Sequence, residues 1–223
     1  MPDNHLILDW NGTLIDDLDA AVASVNLVLA GQALAPIDRK IYQHHFGFPI
    51  QKFYARLGVD FERIAFADLG RQYLAHFNEA IRSCAVFPGT FELVEEARRH
   101  GWSVSVLSAS KKGTLESNLR EAGLHANLDY IFGLEDEDAR GKLDLARQLD
   151  AALGQPGARA LMIGDTDHDI EVAHTFGWRM HSVSHGHQSQ DRLNEIHNAV
   201  SASLLDILDA DLLAQAHKEI THA

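Results

Sequence analysis

His5-Leu6-Ile7-Leu8-Asp9-Trp10-Asn11-Gly12-Thr13 joins a short apolar run to a polar turn. That is the pattern of a strand that delivers one side chain, Asp9, to the C-terminal edge of a sheet. The pattern returns at Ser103-Val104-Ser105-Val106-Leu107, which runs into Ser108. It returns again over residues 158–163, which run into Gly164-Asp165-Thr166-Asp167-His168-Asp169. Further strands are expected at Tyr130-Ile131-Phe132 and over residues 180–183. Apolar spacing predicts helices between these strands, over residues 90–100, 112–122, 142–153 and 168–176. Strand and helix in alternation imply βαβ units, hence an α/β fold with a Rossmann-like parallel sheet and ligands at the C-terminal strand ends.

Residues 17–81 break that alternation. Val22, Val25, Leu27 and Leu29, then Phe53, Tyr54 and Leu57, then Ile64, Leu69, Tyr73 and Phe77 recur at helical spacing with no strand among them, so the segment reads as an inserted helical unit. It ends before Phe87-Pro88-Gly89. Residues 201–217 read as an amphipathic acidic helix packing Leu204, Leu205, Leu208 and Leu212 on the body.

The chain has 223 residues, 46% hydrophobic and 23% charged, enough for a real core. Its 19 basic and 32 acidic residues give a formal net charge of −13, which opposes binding to a nucleic-acid backbone. No apolar run approaches the roughly 20 residues that span a bilayer, and Leu6 is reached without a basic leader, so a soluble cytoplasmic protein with no membrane partner is expected. The single cysteine, Cys84, excludes an intrachain disulfide and a cysteine zinc cluster. The fourteen histidines include no HExxH-type ligand spacing, and most are read as surface residues.

Three strand ends carry polar residues that a sheet does not need. Asp9 precedes a turn in which Gly12 can take unusual backbone angles and bare amides can meet an anion, although Asp-x-Asn-Gly is also an ordinary turn. Ser108 stands where a hydroxyl and the following helix N-terminus would meet a phosphate, although serine is also a common helix cap. Asp165, Asp167 and Asp169 crowd three carboxylates into five positions, and a divalent cation is their natural counter-charge. Helix capping would account for one of the three, not for the set.

In this order and spacing the pieces resemble the haloacid dehalogenase superfamily of hydrolases, closely its phosphoglycolate-phosphatase-like members, over residues 6–193. Asp9-Trp10-Asn11-Gly12-Thr13 is similar to the first motif, Ser108 to the second, and Gly141-Lys142 to the third in preference to Lys111 or Lys112. Gly164-Asp165-Thr166-Asp167-His168-Asp169 is similar to the fourth. The resemblance implies a core of residues 1–18 and 85–223 and a helical cap of residues 19–84 that closes over the site and sets specificity. It implies a phosphatase that uses Mg²⁺ and hydrolyses a small phosphorylated metabolite through an aspartyl phosphate. Asp9 would be the nucleophile, with Asp9, the Asn11 backbone carbonyl, Asp165 and Asp169 holding the metal. Gly12, Thr13, Ser108, Ala109 and Lys142 would bind the phosphoryl group, Ser108 and Lys142 steadying its transition state. His44, His45 and Arg56 in the cap are candidates for the substrate's anionic end.

Asn11 departs from the motif, which has a general-acid aspartate there. An amide cannot donate that proton, so a factor of roughly 10²–10⁴ in rate is missing from its usual place. The substrate could carry a good leaving group, as in an acyl phosphate or anhydride; Asp16, Asp17 or a cap histidine could substitute; or the protein could bind phosphate in a regulatory role with weak turnover or none. A 2-haloacid dehalogenase also lacks the second aspartate, but that branch does without Mg²⁺ and without the full fourth motif. Oligomeric state cannot be read from the chain.

Overall fold

The computed structural model describes residues 4–135 and 141–215. Six strands form one sheet in the order β3-β2-β1-β4-β5-β6. They are β1 (His5–Leu8), β2 (Ser103–Lys111), β3 (Tyr130–Leu134), β4 (Ala160–Gly164), β5 (Arg179–Val183) and β6 (Val200–Ser201), and every pairing is parallel. The α/β expectation therefore holds, with the strand order reversing direction at β1 and β4, where open sheets of this kind leave a crevice for ligands.

Residue alternation shows why the sheet is buried on both faces. Leu6 and Leu8 of β1, Val104 and Val106 of β2, and Leu161 and Ile163 of β4 lie in one hydrophobic cluster, whereas Ile7, Leu107 and Met162 lie in another on the opposite face. Helices α5 (Thr90–Arg99) and α6 (Lys112–Glu121) supply Leu93, Val94, Leu115 and Leu119 to the first face. Helices α7 (Lys142–Ala152) and α8 (Asp167–Thr175) supply Leu145, Leu149, Ile170 and Ala173 to the second.

The helical insertion consists of α1 (Leu18–Gly31), α2 (Arg39–His45), α3 (Ile50–Arg56) and α4 (Phe66–Ala80). Their buried residues, among them Val25, Leu29, Tyr42, Phe53 and Leu69, continue the first cluster. Two short elements escaped the sequence reading: α9 (Gln190–Asn194), and β6, which has too few residues to show a period.

The expected helix over residues 201–217 is corrected. β6 takes its first residue, Ser203 caps the six-residue α10 (Leu204–Asp209), and a positive φ of 51° at Asp211 interrupts the run before residues 212–215 resume helical geometry. The end of that expectation lies outside the described residues. Leu204 is buried and Leu208 and Leu212 pack on the core as expected, but Leu205 is exposed.

Candidate active site

β1 pairs Leu8 with Val106 of β2 and with Ile163 of β4, so Asp9, Ser108 and Asp165 emerge together within two residues of one line across the sheet. Asp169 comes from the first turn of α8, and Lys142 opens α7 directly after Gly141. Lys142 Nζ donates to Asp9 Oδ1 at 2.5 Å and also to Asp169 Oδ1. Lys142 is only 4% exposed, which removes it from the surface role common for a lysine at a helix start.

Oxygens of Asp9, Asp165 and Asp169 lie within 4.8 Å of one another, and all three residues are buried. Burial, opposed by Lys142, moves the Asp9 carboxyl up to about 6. Burial, opposed by the His187 charge, moves Asp165 up to about 8. For Asp169 the charge and hydrogen bond of Lys142 outweigh burial, and its carboxyl falls below the usual range. Lys142 is raised in turn, because its two carboxylates outweigh desolvation. Three buried acids facing one buried lysine leave uncompensated negative charge in a small volume.

Thr13 Oγ1 donates to Asp165 Oδ1 at 3.1 Å, and the His187 amide donates to Asp165 Oδ2 at 2.6 Å. Gly12 and Gly186 let that carboxyl in: a Cβ on Gly12, where φ is +72°, would stand 2.3 Å from Asp165 Oδ2, and one on Gly186 2.2 Å from it. Ser108 is buried and its Oγ accepts from the Ser110 amide at 3.1 Å, while Ala109 is exposed. Gly12 N–H, expected to meet a phosphate, instead donates to Asp17 Oδ1 at 2.8 Å.

Asn11 Nδ2 donates to Asp17 Oδ2 at 2.7 Å, and Asn11 Oδ1 accepts from Ser110 Oγ at 2.7 Å. Asp17 is the N-cap residue of α1, yet its side chain makes no capping bond to that helix. It turns into the site and also meets His187 Nε2 at 3.3 Å. The other ring nitrogen of His187 lies 3.1 Å from the Tyr42 hydroxyl on α2. Burial alone would lower the His187 pKa, but the Asp17 carboxylate outweighs it and raises it to about 9.

His187 thus belongs to the site although no motif marked it, and it and the buried His5 are exceptions to the reading of most histidines as surface residues. Its one sequence signal is Gly186 before it, in a polar stretch following a strand. Of the other substitutes for the missing acid, Asp16 is exposed. His44 and His45 pack edge to face with ring centroids 4.8 Å apart, and Arg56 Nη1 bonds the His45 carbonyl at 3.2 Å.

The haloacid dehalogenase-like hydrolase profile matches residues 6–183, most of the chain. The protein belongs to that family. It is 28% identical over 200 residues to a Dickeya dadantii protein described as probable phosphatase IndB, covering 84% of each chain. It is 26% identical over 196 residues to a phosphoglycolate phosphatase of Rhodospirillum rubrum, covering 83% of this chain and 81% of the relative. Its fold is similar to that of a haloacid dehalogenase-like hydrolase from Streptococcus pneumoniae, with a TM-score of 0.79 at 20% identity over 94% of this chain and 99% of the other. Among the described residues, no helix is long and apolar enough to cross a membrane.

Proposed function

We propose that this hydrolase is a cytoplasmic, Mg²⁺-dependent phosphatase that acts on a small phosphorylated metabolite through an aspartyl-phosphate intermediate. The observation that carries the reading is the buried cluster in which Lys142 bridges Asp9 and Asp169 beside Asp165. In this reading residues 19–84 act as a cap over a core of residues 1–18 and 85–223.

The donor set fits a hard divalent cation: all-oxygen ligands, three buried carboxylates and one lysine to balance them. Asp9, Asp165 and Asp169, with the Asn11 backbone carbonyl, would hold Mg²⁺. When bound it supplies the neutralisation that lets an anionic phosphate approach an anionic nucleophile.

The chain's own residues account for the remainder. Lys142 keeps Asp9 oriented and favours its ionised form, so its carboxylate can attack phosphorus. The bond to the leaving oxygen then breaks, and water attacking the phosphorus of the aspartyl phosphate regenerates Asp9 and releases inorganic phosphate. Ser108 and Lys142 bind the transferring oxygens as charge builds on them, with Ala109 and Thr13 beside them.

Phosphate release from a panel of phosphorylated metabolites, with and without Mg²⁺, tests the reading in wild type and Asp9→Asn. Turnover that needs Mg²⁺ and falls at least about a thousandfold in the variant is expected, because the variant removes the attacking oxygen. Phosphate and Mg²⁺ binding without turnover would instead establish the regulatory role to which Asn11 points.

A further inference from the structure

Resting on that phosphatase reading, we propose that the site takes a phosphoryl group carried on an oxygen that departs without a proton. Its substrate class is then the acyl phosphates and phosphoanhydrides, whose leaving oxygen is a carboxylate or a phosphate.

The argument begins at Asn11. Its amide is held from both ends, Nδ2 on the Asp17 carboxylate and Oδ1 under the Ser110 hydroxyl. The acceptor-only carboxylate fixes which end is nitrogen, so the side chain is a strut with a defined orientation. The negative charge that a carboxylate at position 11 would carry stands instead at position 17. There it is consumed by three donors: the Gly12 amide at 2.8 Å, Asn11 Nδ2 at 2.7 Å and His187 Nε2 at 3.3 Å.

Asp17 gives up the cap of its own helix to serve this network, a sacrifice of about 1 kcal/mol in a typical helix. His187 has both ring nitrogens engaged, on Asp17 and on Tyr42. Asp16 is exposed to solvent. Among the described residues the groups around Asn11 are therefore committed to one another, in a fully buried arrangement at Asp17. None of them is a carboxylic acid held open toward a leaving group.

The chemistry closes without one. Asp9 carboxylate forms a bond to phosphorus, the bond from phosphorus to the leaving oxygen breaks, and its electron pair stays on that oxygen as carboxylate or phosphate. Water then attacks the aspartyl phosphate, the phosphorus–Asp9 oxygen bond breaks with its electron pair returning to the Asp9 carboxylate, and both protons of the water leave on the released phosphate as dihydrogen phosphate. An alkyl ester would have to expel an alkoxide, the step for which general acid catalysis supplies roughly 10²–10⁴.

Asn11 and Asp17 also form a matched pair. Asn11→Asp alone sets two carboxylates in hydrogen-bond contact inside the site and should lower the melting temperature. Asn11→Asp with Asp17→Ser moves the charge back to position 11 without that clash.

The test measures kcat/KM with Mg²⁺ for acetyl phosphate, pyrophosphate, 4-nitrophenyl phosphate, phenyl phosphate and glycerol 3-phosphate, in wild type, His187→Gln and the double variant. Wild type should hydrolyse glycerol 3-phosphate at least about 100-fold more slowly than acetyl phosphate or pyrophosphate, within the range that a missing acid explains. The better of those two assigns the acyl or the anhydride branch. His187→Gln should leave the dependence on leaving group as steep, and the double variant should flatten it by raising turnover of glycerol 3-phosphate. Wild-type rates within about tenfold across the series overturn the proposal. So does a steep dependence that appears only once His187 is replaced, which would make His187 the proton donor. Absence of turnover on every compound takes down the phosphatase reading itself, and this inference with it, whereas a flat series leaves that reading standing.

Discussion

Lys142 Nζ stands 2.5 Å from Asp9 Oδ1, although 133 positions separate the two residues, and the same nitrogen holds Asp169. Among the described residues no other lysine or arginine touches the three buried acids. Replacing Lys142 by Met leaves their charge unanswered. Removing one partner of a buried pair costs about 3–5 kcal/mol, so the melting temperature should fall by on the order of 10 °C. Turnover should drop at least about a hundredfold. Calorimetry and steady-state kinetics on Lys142→Met check both, and an unchanged melting temperature would show that the pair carries no net stabilisation.

Asp165→Asn should uncouple stability from metal binding. Its carboxyl titrates near 8 in the fold against 3.8 ordinarily, so between those values the folded protein binds a proton that the unfolded chain has released. Its contribution to stability therefore falls as pH rises from about 4 to about 8. At the upper end of that range the metal-free variant should melt higher than metal-free wild type, and the difference should shrink toward the lower end. Millimolar Mg²⁺ should raise the melting temperature of wild type and leave the variant unmoved. Melting curves with EDTA and with Mg²⁺ provide the comparison.

Gly12→Ala should damage site and fold together. Its Cβ would meet Asp165 Oδ2 at 2.3 Å and His187 Cδ2 at 2.5 Å, on a backbone with φ of +72°. Strain of this kind costs about 1–3 kcal/mol before any displacement of Asp165 is counted. Loss of Mg²⁺ binding, measured by titration calorimetry, should accompany the lower melting temperature. A variant that binds Mg²⁺ as wild type does would show that the turn yields without moving Asp165.

His181, on β5 and away from the acids, gives a pH signature of its own. Burial, then the nearby His197, lower its pKa to about 4 from 6.5. Between those values the unfolded chain binds the extra proton, so stability rises with pH from about 4 to about 6.5 and is lost as pH falls. His181→Gln should flatten that limb, with a gain of a few degrees near pH 5 and little change near pH 7. Parallel slopes for variant and wild type would assign the acid limb elsewhere.

Where the sequence is periodic, the fold was readable: each apolar run that ended in Asp9, Ser108 or Asp165 became a parallel strand, with Asp9 and Asp165 just past the end of theirs, whereas β2 runs on through Ser108 to Lys111. Lys142 and Asp169 were readable only through their place in a series of motifs, since neither a helix-start lysine nor an acid in a first helical turn points to burial by itself. Asp17 was legible only as a possible substitute for the missing acid, and His187 was not legible at all. An aspartate just before a helix looks like its cap, and only the three-dimensional path shows that its side chain serves Gly12, Asn11 and His187 instead. His187 joins Asp17 across 170 positions, through a polar loop with no period.

Asp169 divides its two oxygens between two duties. Oδ2 accepts from the Thr166 amide and hydroxyl and closes the first turn of α8, while Oδ1 receives Lys142. A substitution there removes a structural clasp and a charge partner at one stroke, so a dead Asp169 variant could not tell a broken fold from a broken reaction. Asp9 sits beyond the last residue of β1 and caps no helix. Asp9→Asn keeps an oxygen to accept from Lys142 while removing the attacking carboxylate, so in the proposed reading it is the variant for substrate trapping or for an inactive control in cells.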